Sequence, residues 1–113
     1  MGKSDDLARR AVACKGWRWM PGMRYTLPTT SLHGRWKPGL SQHIMPDLDD
    51  PATLGCLLAL VREAWGDPCI CTAVDNTGAG WWVDGWTAAR PQVPSDLHPT
   101  EAEALVAALE AAP

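Results

Sequence analysis

Basic side chains stand beside tryptophan at two places in the first forty residues. Residues 17–24 read WRWMPGMR and residues 33–37 read HGRWK. Indole offers the best aromatic face for stacking and cation–π contacts, and guanidinium groups form charge-assisted hydrogen bonds to phosphate. Together these groups could hold a base and its phosphates. The candidate ligand-binding residues are therefore Arg18, Trp19, Arg24, His33, Arg35, Trp36 and Lys37.

Tryptophan supplies nearly all of the aromatic content, since the chain holds seven Trp, one Tyr and no Phe. Indole adds an N–H donor that phenylalanine lacks, which favours a role in recognition. A purely structural explanation is also consistent, because on a strand each indole would face the core and each basic neighbour would face water. Trp65 and Trp81 lie on apolar stripes and are assigned to the core. Both explanations stay open for Trp17, Trp19, Trp36, Trp82 and Trp86.

Patterns typical of catalytic or metal centres do not occur in the sequence. There is no GxSxG, HExxH, GxxxxGK[ST] or GxGxxG, and His33, His43 and His98 do not fall at metal-ligand spacing. Cys69 and Cys71 are two apart, but no CxxC or nearby histidine completes a zinc set. We therefore expect no enzyme, no metal and no cofactor, with the four cysteines reduced and buried as small apolar side chains.

Charge is distributed unevenly along the chain, whose net charge is -3. Residues 1–45 hold eight Lys and Arg against two acidic residues, a formal charge of +6. Residues 46–113 hold two basic residues against eleven acidic ones, a formal charge of -9. The overall acidity makes general nucleic-acid binding an unfavoured function. The opposite halves could pair head to tail between copies, so we expect a homo-oligomer.

The length of 113 residues predicts one compact domain over residues 1–113. No run approaches the eighteen apolar residues of a membrane helix, and acidic and basic residues interrupt the N-terminal segment where a signal peptide would need an apolar stretch. We expect no membrane association and a cytoplasmic location.

Capping signals predict the helices. Ser4 can cap a first helix that runs to Gly16, and Asp50, Pro51 and Gly66 fit the two ends of a long central helix. A last helix begins after Thr100, with Glu103 at capping-box spacing, or one step earlier at His98 with Pro99 in the first turn.

Strands are predicted between these helices. Residues 17–40 are predicted as strands and loops, in which Trp17 and Trp19 alternate with Arg18, RYTL is typical of a strand and SLHGRWK can form a second one. CICTAV and GWWVDGW form a hairpin around DNTGA. The order is roughly α-β-β-α-β-β-α, which predicts an α+β fold with a small antiparallel sheet layered with helices, an α-β-α sandwich.

Four segments, LARRAVACKGWRWMPGM, MPDLDDPATLGCLLALVREAWG, WWVDGW and PTEAEALVAALEA, together resemble the phage ABA sandwich family of small bacteriophage and prophage proteins. Gly16 and Trp17 match its Gly-Trp, while Pro46, Asp47 and Asp50 match its approach to the central helix. Residues 24–45 have no counterpart in the family pattern. The resemblance implies a phage or prophage origin and an α-β-α layered fold, and it supplies no catalytic set.

Two functions follow as expectations. The first is a non-catalytic phage protein that binds and sequesters a small anionic nucleotide-type ligand, an anti-defence sponge for an immune signal in the cytoplasm of the infected bacterial host. The alternative is a phage accessory or interaction protein that binds a host or phage protein through an exposed Trp, Met and Arg surface.

Overall fold

The computed structural model describes residues 3–27, 33–40, 44–75, 77–78, 80–84 and 97–113. Within these ranges helices and short antiparallel strands form an α+β fold, as the sequence predicts. The elements in chain order are α1 (Lys3–Ala13), β1 (Arg24–Thr26), β2 (His33–Arg35), β3 (Met45–Pro46), α2 (Pro51–Trp65), β4 (Cys71–Val74), β5 (Trp81–Asp84) and α3 (Glu101–Glu110). The order differs from the prediction by the short strand β3.

In the described ranges the strands form two small antiparallel sheets, where the sequence predicts one. One sheet has the order β2-β1-β3, and the other is the hairpin β4-β5. At the outer edge of β5, Trp81 exchanges both backbone hydrogen bonds with His98, at 2.7 and 2.8 Å. A Cβ at Gly80 would stand 2.7 Å from the His98 carbonyl oxygen, so the absence of a side chain permits this close approach.

Helix α2 begins and ends where its capping residues predict. The Asp50 carboxylate accepts a hydrogen bond from the Thr53 backbone N–H, and Pro51 occupies the first turn. Gly66 terminates the helix in the left-handed region at φ 65°, and its N–H donates to carbonyls of the last turn.

The other two helices differ in how well their starts were predicted. Thr100 caps α3, since its hydroxyl accepts from the Glu103 N–H at 3.1 Å. Helix α1 already includes Lys3, so Ser4 lies in its first turn and is not its cap, and the helix ends at Ala13 before Gly16. None of the helices in the described ranges is long and apolar enough to cross a membrane.

The core lies around α3, which packs on α1, on α2 and on the β4-β5 hairpin. Six of the ten residues of α3 are buried, so this helix is covered on most of its surface. From α2 the core receives chiefly Leu57, Leu60, Val61 and Trp65. The core assignment of Trp65 is confirmed, and Trp81 is half-buried and packs against the core.

The cysteines are less buried than the sequence predicts. Cys14 and Cys56 are half-buried, whereas Cys69 and Cys71 are exposed, and all four are free thiols. Ile70, between the two exposed thiols, is fully buried. Burial of this aliphatic side chain leaves its two neighbours on the solvent side.

Candidate binding surface

Three indoles from separate parts of the chain form a contiguous group, the tryptophan cluster, which consists of Trp17, Trp19 and Trp36. The rings of Trp17 and Trp19 meet edge to face, with centroids 5.5 Å apart at an interplanar angle of 85°. Trp19 and Trp36 are stacked, with centroids 6.3 Å apart and planes inclined by 18°. All three side chains are half-buried and pack against the core. Each indole therefore contributes both to packing and to the surface.

A tight turn, not a strand, positions the first two indoles. Residues 17–20 belong to neither sheet, so the prediction of a strand carrying Trp17 and Trp19 is wrong. The chain turns at Gly22, whose φ is 96°, and the Met23 N–H donates to the Met20 carbonyl at 3.1 Å. Met23 is completely buried and anchors this turn.

Backbone pairing next to β1 and β2 brings the third indole to the other two. The Trp36 N–H donates to the Met23 carbonyl at 2.6 Å, and the Gly22 N–H donates to the Trp36 carbonyl at 3.4 Å. These bonds extend the β1-β2 register, in which Arg24 faces Arg35. Trp36 thereby reaches Trp19, which lies seventeen positions earlier.

The arginines beside the indoles are paired with carboxylates of the same chain. Arg18 Nη1 donates to both carboxylate oxygens of Glu63, at 2.7 and 2.6 Å. Arg35 Nη1 donates to Asp50 Oδ2 at 2.6 Å and to the Gly22 carbonyl at 3.3 Å. Two further predicted site residues, His33 and Lys37, are exposed. His33 is the first residue of β2, and Lys37 directly follows Trp36.

Arg24 also faces a carboxylate. Its Nε lies 3.1 Å from Asp47 Oδ2, close enough for an ion pair but without hydrogen-bond geometry. All three predicted phosphate-binding arginines thus meet an acidic side chain, and their charges are neutralised where a phosphate would have to bind.

Ion pairs within the chain connect its two oppositely charged halves. Four ion pairs of the described residues join the basic first half to the acidic second half, namely Arg10–Glu110, Arg18–Glu63, Arg24–Asp47 and Arg35–Asp50. Arg9–Asp6 is a local pair within α1. This internal pairing weakens the electrostatic attraction between opposite halves of two copies, and the homo-oligomer stays a prediction.

Asp50 is the centre of the polar contacts between the β2-β1-β3 sheet and α2. Its Oδ2 accepts from Arg35 Nη1 and from the backbone and hydroxyl of Thr53. The Arg35 guanidinium, followed by the Thr53 donors, lowers the pKa of Asp50 to about 2. The buried Thr53 hydroxyl also accepts from the Arg24 N–H at 2.7 Å. A continuous chain of hydrogen bonds therefore links β1 to the start of α2.

One polar atom of the tryptophan cluster has no hydrogen-bond partner within the described part of the chain. Trp17 Nε1 is buried, and none of the described residues accepts its hydrogen. A buried donor without an acceptor costs about 1–3 kcal/mol. The cluster therefore contains a hydrogen-bonding capacity that the described part of the chain leaves unused.

Sequence reasoning grouped Trp19 with Trp36 but missed other parts of the surface. The sequence pattern does not decide between core and surface for Trp17, and it gives no signal that Glu63 and Asp47 pair with the arginines. Only the Asp50 cap carried a local signal, since its partner Thr53 is three positions away. Trp82 is half-buried on β5, and Trp86 lies outside the described residues.

Other grooves of the surface do not involve the predicted site. One lies between the end of α1 and α3 and is lined by Arg10, Ala13, Cys14, Lys15 and residues of the α3 end. Burial raises the pKa of the Cys14 thiol, whose Sγ donates to the Arg10 carbonyl at 3.3 Å. That thiol is therefore kept protonated. In the described ranges no group of three or more His, Cys, Asp or Glu is placed to hold a metal ion.

Comparison with known proteins gives no match: no family model matches the sequence, and neither a curated protein nor a solved structure is similar to the chain. The resemblance to the phage ABA sandwich family stays a prediction.

Proposed function

We propose that this chain is a non-catalytic binding protein that docks onto another protein through the tryptophan cluster and its exposed rim of Arg18, Arg35 and Lys37. The observation that carries the proposal is the stacked, half-buried Trp19–Trp36 pair with charged groups around it. The family resemblance adds the setting, a phage accessory protein acting in the cytoplasm of an infected host.

The composition of this surface is the one that protein interfaces favour. Tryptophan, methionine and arginine are enriched at interfaces, and the energetically dominant residues are aromatic side chains seated in a packed surround. Trp19 and Trp36 have that environment, because they pack on the core from one side. Met20 is half-buried between Trp19 and the turn. A partner that covers the cluster would bury large aromatic area without ordering a flexible loop.

Charge argues for a protein partner over a strongly phosphorylated one. Arg18 and Arg35 already share their charge with Glu63 and Asp50. A phosphate would have to displace these carboxylates or approach them against repulsion. A protein rim of mixed polarity can instead contact the exposed arginines of these ion pairs without breaking them.

A photocross-linking experiment locates the docking surface. A photoreactive phenylalanine analogue replaces Lys37 in one variant and Val74 in a control; both positions are exposed, but Lys37 follows Trp36 whereas Val74 lies on β4 of the other sheet. Irradiation in host lysate is expected to give a discrete protein adduct from position 37 and none from position 74. Equal yields from the two positions would contradict the proposal, because they indicate non-specific contact.

Affinity for the cross-linked protein then tests the indoles. Trp36→Leu is expected to weaken binding at least roughly thirtyfold, since loss of an interface hot spot costs about 2 kcal/mol or more. Val74→Ala, measured by the same titration, should bind like the wild-type chain. Circular dichroism melting of both variants controls for folding, and a Trp36→Leu variant that is folded and binds normally rejects the cluster as the interface.

Sequestration of a small anionic nucleotide is a second candidate, favoured by the nearly parallel planes of Trp19 and Trp36. A base held between two indoles needs about 7 Å between their planes, twice the roughly 3.4 Å spacing of stacked bases. The ring centroids are 6.3 Å apart, which is an upper limit on the separation of the two planes, so the rings would have to move apart to admit a base. Arg18 and Arg35 would then exchange their carboxylates for phosphates.

Native mass spectrometry separates the two candidates and also counts the subunits of the expected homo-oligomer. Chain purified from cells with an active nucleotide-signalling defence should carry a ligand of several hundred daltons if the second candidate is right. Glu63→Gln frees Arg18 and is expected to increase ligand retention, whereas Glu103→Gln, on α3, should not. Ligand-free chain from both signalling and non-signalling cells would leave protein docking as the function.

A further inference from the structure

Two exposed thiols, separated by a single residue, lie where the chain enters the β4-β5 hairpin. Cys69 and Cys71 are free and exposed, and they flank Ile70, which has no exposed surface. Neither thiol takes part in the tryptophan cluster or in the core. The Cys-Ile-Cys segment is therefore a surface feature that packing alone does not explain.

The backbone that carries the two thiols is fixed on both sides. The Asp67 carboxylate accepts from the Cys69 N–H at 2.9 Å, and Arg62 Nε donates to the Ile70 carbonyl at 2.7 Å. Cys71 is the first residue of β4 and pairs with Asp84 of β5. Because Arg62 of α2, the buried Ile70 side chain and a strand pairing all hold this short segment, the backbone on which the two thiols stand is ordered before any ligand binds, and a chelate does not pay the entropy cost of ordering a loop.

We propose that Cys69 and Cys71 form a two-thiolate site for a soft, two-coordinate cation of the copper(I) type. Thiolate sulfur selects soft ions of this kind. Binding forms two copper–sulfur bonds and releases the two thiol protons to solvent, with no change in oxidation state. A tetrahedral zinc centre does not fit, because the described residues offer no third His, Cys, Asp or Glu placed to complete it.

Anaerobic titration of the reduced full chain with copper(I), against a competing copper(I) chelator, tests the site. The expected result is one ion per chain with two protons released. Cys69→Ser and Cys71→Ser are each expected to weaken binding roughly hundredfold, because a single thiolate loses the effective concentration of the second. Cys56→Ser, a half-buried thiol on α2, is the matched control and should bind like the wild-type chain.

Two further measurements distinguish an ion bound within one chain from an ion shared by two chains. X-ray absorption should report two sulfur ligands in the wild-type chain, and native mass spectrometry should report the ion on a monomer of the chain. One ion shared by two chains would overturn the chelate within a single chain, and so would undiminished affinity in either serine variant. The serine changes lie on exposed side chains, so unchanged melting temperatures ensure that lost binding reflects the missing sulfur.

Discussion

Replacing Trp65 with alanine is expected to destabilise the fold by about 3–5 kcal/mol, the range for removal of a buried large aromatic side chain. Trp65 is the last residue of α2, and only 5% of its surface is exposed. Its side chain fills the space between α2 and α3. The cavity left by alanine would lie in the middle of the core.

A hydrogen bond adds to this effect. Trp65 Nε1 donates to the Ala108 carbonyl at 2.8 Å. Carbonyls in the last turn of a helix lack intrahelical partners, and those of Ala107 and Leu109 are satisfied by N–H groups of Ala111 and Ala112. The indole of α2 therefore supplies the donor that the end of α3 does not.

Urea unfolding of two variants separates packing from hydrogen bonding. Trp65→Phe keeps most of the ring volume and loses the donor, so we expect a loss of about 1–3 kcal/mol from the unsatisfied carbonyl. Trp65→Ala should lose clearly more. Equal losses in the two variants would contradict the packing argument, because they would assign the whole effect to the hydrogen bond.

Replacing Asp50 with alanine is expected to destabilise the fold by about 0.5–2 kcal/mol through loss of the α2 cap, and further through loss of its contact with Arg35. The side chain of Asp50 is almost fully buried, at 9% exposed, and accepts three hydrogen bonds. Alanine leaves the Thr53 N–H without its capping acceptor. The junction between β2 and α2 should therefore loosen first.

The Asp50 carboxylate makes the free energy of unfolding depend on pH in the acidic range. Its pKa is about 2 in the folded chain, against an ordinary value of 3.8, because the Arg35 guanidinium and the Thr53 donors favour the charged form. The unfolded chain therefore binds a proton on Asp50 at higher pH than the folded chain does. The contribution of Asp50 is complete above about pH 4 and is lost as the pH falls through about 2.

Thermal melts of Asp50→Asn and Asp50→Ala between pH 2 and pH 7 check both parts of this prediction. Asparagine retains a capping oxygen but has no charge to titrate, so the variant should keep most of the cap stability and show a flatter acid limb than wild type. Arg35→Ala should move the acid limb of the wild type to higher pH. An acid limb identical in wild type and Asp50→Asn would show that other carboxylates control acid unfolding.

The helix ends of this protein are mostly readable from the sequence. Asp50 and Gly66 bound α2, and Thr100 starts α3, as their residue types predict. Capping bonds connect residues within about four positions, so local sequence contains both partners. The exception is α1, where Ser4 had the right residue type but the helix begins before it.

The tryptophan cluster was only partly predictable. Alternation placed Trp19 and Trp36 in one candidate site, and the structure stacks them. Residues 17–20, which the alternating pattern assigns to a strand, belong to neither sheet and lead into the turn at Gly22, next to the fully buried Met23. Exposure of Cys69 and Cys71 was likewise decided by burial of Ile70 between them.

The sequence by itself determined the α+β class, the caps of α2 and α3 and the excess of positive charge in the first half. The tertiary structure alone decided which carboxylates pair with these basic side chains. Arg35 meets Asp50 fifteen positions away, Arg18 meets Glu63 forty-five positions away, and Arg10 meets Glu110 a hundred positions away. The physical reason is range: a cap is completed by a neighbour in sequence, whereas an arginine pairs with whichever carboxylate the packed helices and strands bring within reach.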